Sequence, residues 1–124
     1  MALLFHKEIV VLIWALFDAY MEKDKVVGFL YLKQTGKDTV ELAVMGVLKE
    51  YHRKGIGRAL FEYAKESIKK SGYSFIQVKT VKMGMYEDYD RTNQFYISLG
   101  FKEFEVLNSL WDENNPCQIY VMAV

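Results

Sequence analysis

Between residues 54 and 70 apolar side chains fall at Ile56, Leu60, Ala64 and Ile68, a spacing that predicts an amphipathic helix. Glu66 precedes Lys69 and Lys70 by three and four residues, which adds charge pairs on the solvent face. Ser71 and Gly72 supply the stop, because glycine takes the left-handed conformation cheaply. On either side of this helix the pattern changes to short runs rich in β-formers. Residues 26–33 and 39–48 are two such runs, and the polar QTGKD between them reads as a hairpin connection. Residues 14–21 pair with the first run through EKDK, giving an antiparallel meander. Downstream, Phe75–Val81 is a strand that follows a strand and a helix, so it is expected to lie parallel to the strand before the helix. Asp90 is expected to cap a short helix that carries Phe95 and Leu99 on one face and ends at Gly100. Residues 101–106 and 118–124 read as two final strands, joined by a loop around 112–116.

The stretch 47–60, VLKEYHRKGIGRAL, joins an apolar run to a basic, glycine-punctuated turn and then to the helix. Gly55 and Gly57 let the backbone approach a ligand closely, while the N–H groups of the first helical turn have no partner within the helix. The helix dipole places about half a positive charge at that end, and Arg53, Lys54 and Arg58 surround it with three more. An anion such as a phosphate fits this environment. A dinucleotide fingerprint does not, since its third glycine would fall at Leu60, and no GxxxxGK[ST] pattern is present.

The remaining composition narrows the class. The 124 residues suit one domain over 1–124, and 16 basic against 16 acidic residues leave no broad footprint for nucleic acid or anionic membrane. The longest apolar run, residues 9–17, is far short of the roughly 20 residues a membrane-spanning helix needs and reads as core. One cysteine, Cys117, allows no internal disulfide, so a cytoplasmic location is expected. It reads as a packed residue rather than a nucleophile, because no histidine partner lies nearby in sequence. Two distant histidines and one cysteine give no metal-ligand spacing.

HRKGIG in the turn and TNQFYISLGF at residues 92–101 together resemble the GNAT superfamily of acetyl-coenzyme A-dependent N-acetyltransferases, over residues 26 to the C-terminus. His52 stands where that family usually has Gln or Arg, Lys49 where many members have proline, and Tyr89 where an asparagine is common. The resemblance implies an α/β fold: a mixed, mostly antiparallel sheet of about six strands with two main helices and a parallel strand pair splayed at the cofactor site. It also implies an N-terminal region, about 1–22, too short for the strand and two helices that usually come first. The donor would be acetyl-coenzyme A, its carbonyl contacting the backbone of the strand carrying Met45 and Val47. Its pyrophosphate would rest on the amides of Arg53, Lys54, Gly55, Ile56, Gly57 and Arg58. The acceptor would be a small-molecule or protein amine that attacks directly, without an acyl-enzyme.

Tyr96 matches the family's proposed general acid, and a phenol of pKa about 10 is a plausible donor to a thiolate. Its ordinary role is an aromatic packed beside Phe95 in a chain with nine tyrosines. Glu41, fourteen positions before Gly55, has the spacing at which the histone-acetyltransferase branch places its base. It is equally an exposed carboxylate on a strand. His52 is expected to face solvent or phosphate, and SLWDENNPC, residues 109–117, reads as a loop pinned by Trp111 rather than a lid or dimer contact. The reading from another class is a non-catalytic acyl-coenzyme A binding or sensor module, with a shortened acceptor side. A homodimer that completes the cleft is the association that would restore catalysis.

Overall fold

The computed structural model describes residues 3–6, 9–12, 17–22 and 25–124, with side chains from residue 19 onward except 23 and 24. The strands are β1 (Leu3–His6), β2 (Ile9–Leu12), β3 (Phe17–Glu22), β4 (Lys25–Gln34) and β5 (Thr39–Val47), then β6 (Phe75–Val81), β7 (Lys102–Asp112) and β8 (Asn115–Ala123). The helices are α1 (Ile56–Lys70) and α2 (Glu87–Leu99), and a short 3-10 turn occupies Lys49–Tyr51. Among the described residues the strands form one mixed, mostly antiparallel sheet in the order β1-β2-β3-β4-β5-β6-β8-β7, eight strands where about six were expected. The two additional strands are β1 and β2, in the region expected to be too short for the strand and two helices that usually come first. The upstream partner of β4 begins at Phe17, and residues 14–16 of the expected strand lie outside the described residues, as does the burial of the apolar run 9–17.

Alternation and helical period meet on one face of the sheet. Leu30 and Leu32 on β4, Val40 and Leu42 on β5, Ile76 and Val78 on β6, and Tyr120 and Met122 on β8 all join one buried cluster with the helices. From α1 they receive Ile56, Leu60, Phe61, Ala64 and Ile68, the predicted stripe plus Phe61. Leu99 brings α2 into the same core, and the rings of Phe61 and Phe101 meet at 5.4 Å. The stop at residue 72 forms as expected: Gly72 is left-handed at φ 87°, its N–H donates to Lys69 O at 3.1 Å, and Tyr73 N–H donates to Ile68 O at 3.3 Å.

Three connections differ from expectation. Helix α2 starts at Glu87, earlier than a cap at Asp90 would allow, and Asp90 lies inside its first turn. The Asp90 carboxylate instead accepts the N–H of Gly84 at 2.7 Å, folding the preceding loop onto the helix. The final connection is not a pinned loop. Strand β7 runs to Asp112, whose carboxylate accepts Asn114 N–H at 2.9 Å and shapes a tight turn, while Trp111 remains 47% exposed. Cys117 is buried, as expected of a packed thiol.

The parallel pair is what positions the site. Strands β5 and β6 pair only at Thr39–Phe75, Val40–Ile76 and Glu41–Gln77, and then separate. The cause lies on the other edge of β5. There Tyr31 pairs with Val44 while Leu32 pairs with Leu42, so Ala43 is an extra residue just beyond the last parallel pair. Such a bulge bends its strand and ends the ladder, leaving β5 to continue to Val47 with no β6 partner.

Candidate active site

A cleft of about 890 Å³ opens where β5 and β6 separate, a volume ordinary for a small-molecule site. One wall is the end of β5, at Met45, Gly46 and Val47; the floor is the turn and the start of α1; the far wall is α2, through Asp88, Arg91, Thr92, Phe95 and Tyr96. At the floor, Gly55 is left-handed at φ 76° and its carbonyl accepts the N–H of Ala59 at 3.0 Å. That is the first acceptor of the helix, so the N–H groups of Ile56, Gly57 and Arg58 face outward from its end. Arg53 is also left-handed, at φ 62°, a conformation that costs a non-glycine residue about 1 kcal/mol or more.

Gly57 has a second reason to be glycine. A Cβ there would stand 3.1 Å from Met45 Cε and 3.1 Å from Phe95 Cζ, in the space between the two walls. The basic side chains are held in different ways. Arg58 donates to Ser98 Oγ at 3.2 Å, linking the start of α1 to the end of α2. Lys54 lies over the Tyr51 ring at 5.2 Å and is not among the residues lining the cleft. His52 lines the cleft, but its Nε2–H donates to Val47 O at 2.7 Å, bracing the turn against the end of β5. The ring is exposed, as expected, and the backbone bond within the turn is an addition that the sequence did not suggest.

Tyr96 borders the cleft, and its ring meets those of Phe95, Phe101 and Tyr120 at 5.9, 5.9 and 6.3 Å. Burial pushes its phenol up to about 12. Burial also pushes the Tyr120 phenol up, with the Glu103 carboxylate adding to the effect. Both therefore hold their protons more tightly in the folded chain than in the unfolded one, whose phenols titrate near 10. The resulting stability is complete below pH 10 and is lost as pH rises through the folded value. For Tyr96 alone the loss is up to about 3 kcal/mol. Burial pushes the Cys117 thiol up as well, so the urea midpoint is expected to begin falling above about pH 8 and to fall more steeply above 10, with the steeper part reduced in Tyr96→Phe.

Glu41 is placed elsewhere. Its carboxylate is 2.9 Å from Lys79 Nζ and accepts a hydrogen bond from Gln77 Nε2 at 3.2 Å, beside the paired part of β5 and β6. It does not line the cleft. The cleft thus brings together Met45, Val47, Arg53, Gly55, Ile56, Gly57, Arg58 and Tyr96, without Lys54 or Glu41. Asp88 and Thr92 were not singled out from sequence, and Phe95 was read as a packing residue, although all three line the cleft with Tyr96. Starting α2 at Glu87 would have revealed that stripe. Arg91, beside them, is ion-paired to Glu87 and Asp88 within α2.

A parallel strand pair opened beside a bulge, with outward amides and a glycine floor between two walls, leaves a cleft whose floor has the electrostatics of an anion site. The acetyltransferase (GNAT) domain profile matches residues 11–103, and the chain belongs to that family. Among solved structures, a GNAT-family acetyltransferase from Desulfovibrio desulfuricans superposes with a TM-score of 0.80 at 23% identity, covering 86% of this chain and 67% of its own. The PaiA N-acetyltransferase from Thermoplasma acidophilum, solved with coenzyme A, gives a TM-score of 0.74 at 23% identity, covering 88% of this chain and 60% of its own. An aminoglycoside 6'-N-acetyltransferase, also complexed with coenzyme A, gives 0.73 at 21% identity, covering 95% and 74%. These similarities concern the fold, and the chain spans roughly 60–74% of the two structures solved with coenzyme A. No curated protein sequence matches the chain significantly. Among the described residues no helix is long and apolar enough to cross a membrane.

Proposed function

We propose that the chain is an N-acetyltransferase that moves an acetyl group from acetyl-coenzyme A to a primary amine by direct attack in a ternary complex. The observation that carries this reading is the opening itself. Three outward amides at the start of α1 face the same cleft as the unpaired end of β5, with Tyr96 on the opposite wall. Gly57 supports the fit, because the space that its missing side chain leaves lies between the walls where a narrow pantetheine arm would run. When bound, the thioester supplies an activated carbonyl carbon, which the amine nitrogen attacks as the carbon–sulfur bond breaks. The β5 backbone would orient the carbonyl, the α1 amides with Arg53 and Arg58 would hold the pyrophosphate, and the amine would lose its surplus proton to water. The acceptor is a small-molecule or protein amine, and the chain works in the cytoplasm. A second copy completing the acceptor side remains part of this proposal, since among the described residues both helices lie on one face. The opposite face leaves Tyr31 and Val44 exposed.

One observation favours the non-catalytic sensor instead: Glu41 is engaged by Lys79 away from the cleft, leaving no strand carboxylate there to take the amine proton. Two measurements separate the readings. Acetyl-coenzyme A at about 100 times its Kd should stabilise the chain by about 2.7 kcal/mol, raising Tm by several degrees. No rise in Tm at millimolar ligand would remove the donor site. Thiol release over a panel of primary amines should then exceed the buffer-only rate; a rate that stays at the buffer level leaves the sensor.

A further inference from the structure

We propose that Asn93 and Tyr120 are a positioning pair that fixes Tyr96 against the cleft, an inference that rests on Tyr96 assisting the leaving sulfur. Asn93 precedes Tyr96 by one turn of α2 and is fully buried. Every polar atom of its side chain is engaged. Nδ2 donates to Val81 O at 2.8 Å and to Tyr89 O at 2.6 Å, while Oδ1 accepts the Tyr120 hydroxyl at 2.6 Å. Val81 ends β6 and Tyr120 lies on β8, so one side chain ties α2 to two neighbouring strands beside the opening.

Core stability alone does not call for this arrangement. Asparagine is a weak helix former, and leucine, with the same branching and number of side-chain heavy atoms, has better propensity and no polar atom to satisfy. A fully bonded buried network instead specifies one geometry, because any other leaves its members without partners. The geometry it specifies here includes Tyr96. The Tyr120 ring, held by its bond to Asn93, packs 6.3 Å from the Tyr96 ring, and Phe101 N–H donates to the Tyr96 carbonyl at 3.2 Å. Turning α2 about its axis far enough to take Tyr96 from the cleft would first break the Asn93 bonds to Val81 and Tyr120.

The test uses the full chain carrying Tyr120→Phe, which deletes one hydroxyl, or Asn93→Leu, each alone and combined with Tyr96→Phe. Thiol release from acetyl-coenzyme A is measured with the panel amine of highest turnover, and donor affinity by calorimetry. Each single variant is expected to lower kcat about tenfold with donor Kd within about twofold of the native value. In the Tyr96→Phe background neither should lower kcat by more than about a further twofold. Losses that multiply with Tyr96→Phe, or native kcat in Tyr120→Phe, overturn the proposal as a matter of positioning. Native kcat in Tyr96→Phe itself overturns the reading of Tyr96, and the positioning role with it. A readout independent of turnover comes from ring-labelled tyrosine NMR, with the Tyr96 signal assigned by its loss in Tyr96→Phe. In both positioning variants that signal should titrate closer to the ordinary value near 10; an unchanged titration overturns the inference.

Discussion

Gly57→Glu is expected to abolish binding of acetyl-coenzyme A at concentrations that saturate the native chain, while leaving the fold as stable as before or more so. The two effects separate because Gly57 is an ordinary helical position: its φ is not among the positive values of the chain. Replacing a helical glycine by glutamate gains helix propensity, and an acidic residue in a first turn favours the dipole. The cost falls on the cleft. The new Cβ presses on the ends of Met45 and Phe95 at 3.1 Å, and both side chains must give way. The carboxylate then occupies the end of α1, where it cancels Arg53 or Arg58 and repels the incoming phosphates. At an effective dielectric of 20 and about 6 Å, each such charge is worth roughly 3 kcal/mol, so a loss of at least about a hundredfold in Kd follows. Calorimetry checks it, with urea unfolding as the control; affinity within about threefold of native would place the phosphates elsewhere.

Tyr96→Phe is expected to lower kcat by about 10- to 100-fold and to leave the donor Kd nearly unchanged. The magnitude comes from asking what a phenol pushed up to about 12 does for a leaving thiolate. An ordinary thiol has a pKa of about 8.5, so complete transfer of the phenolic proton runs uphill by roughly 5 kcal/mol. In the proposed reaction Tyr96 would therefore serve as an O–H donor that stabilises sulfur as charge develops, rather than as a group that surrenders its proton. A hydrogen bond to a charged partner contributes about 1.5–3 kcal/mol, which sets the fold-loss. The same reasoning fixes the pH profile. No falling limb assignable to Tyr96 should appear between pH 8 and 10, whereas an unperturbed phenol would begin to lose its proton there. A falling limb near pH 9 that disappears in Tyr96→Phe would contradict this role.

The two predictions draw on features that were unequally legible in the sequence. The stripe on α1, the glycine stop and the β4–β5 hairpin are local, each written in a handful of adjacent residues, and were readable to within one or two positions. Ile56, Gly57 and Arg58 were readable for the same reason, since a basic glycine turn before a helix has a direct electrostatic meaning. What escaped depends on partners far along the chain. Lys54 turns to Tyr51 and Glu41 to Lys79, choices between neighbouring side chains that no spacing encodes. Asn93 looked like one more polar residue on a short helix, because its partner Tyr120 is 27 positions away. The start of α2 was misjudged because Asp90 has the right chemistry for a cap and spends it on the loop at Gly84 instead.

Ala43 gives the opening a longer consequence. Beyond Glu41 the two parallel strands are an unfinished zipper, and one surplus residue keeps it from closing. A sheet that completed the ladder would gain backbone bonds and lose its ligand, so selection for greater rigidity and selection for binding pull this position in opposite directions. The recognition surface is in that sense a vacancy in secondary structure, kept open by a single alanine whose own side chain need never touch what enters.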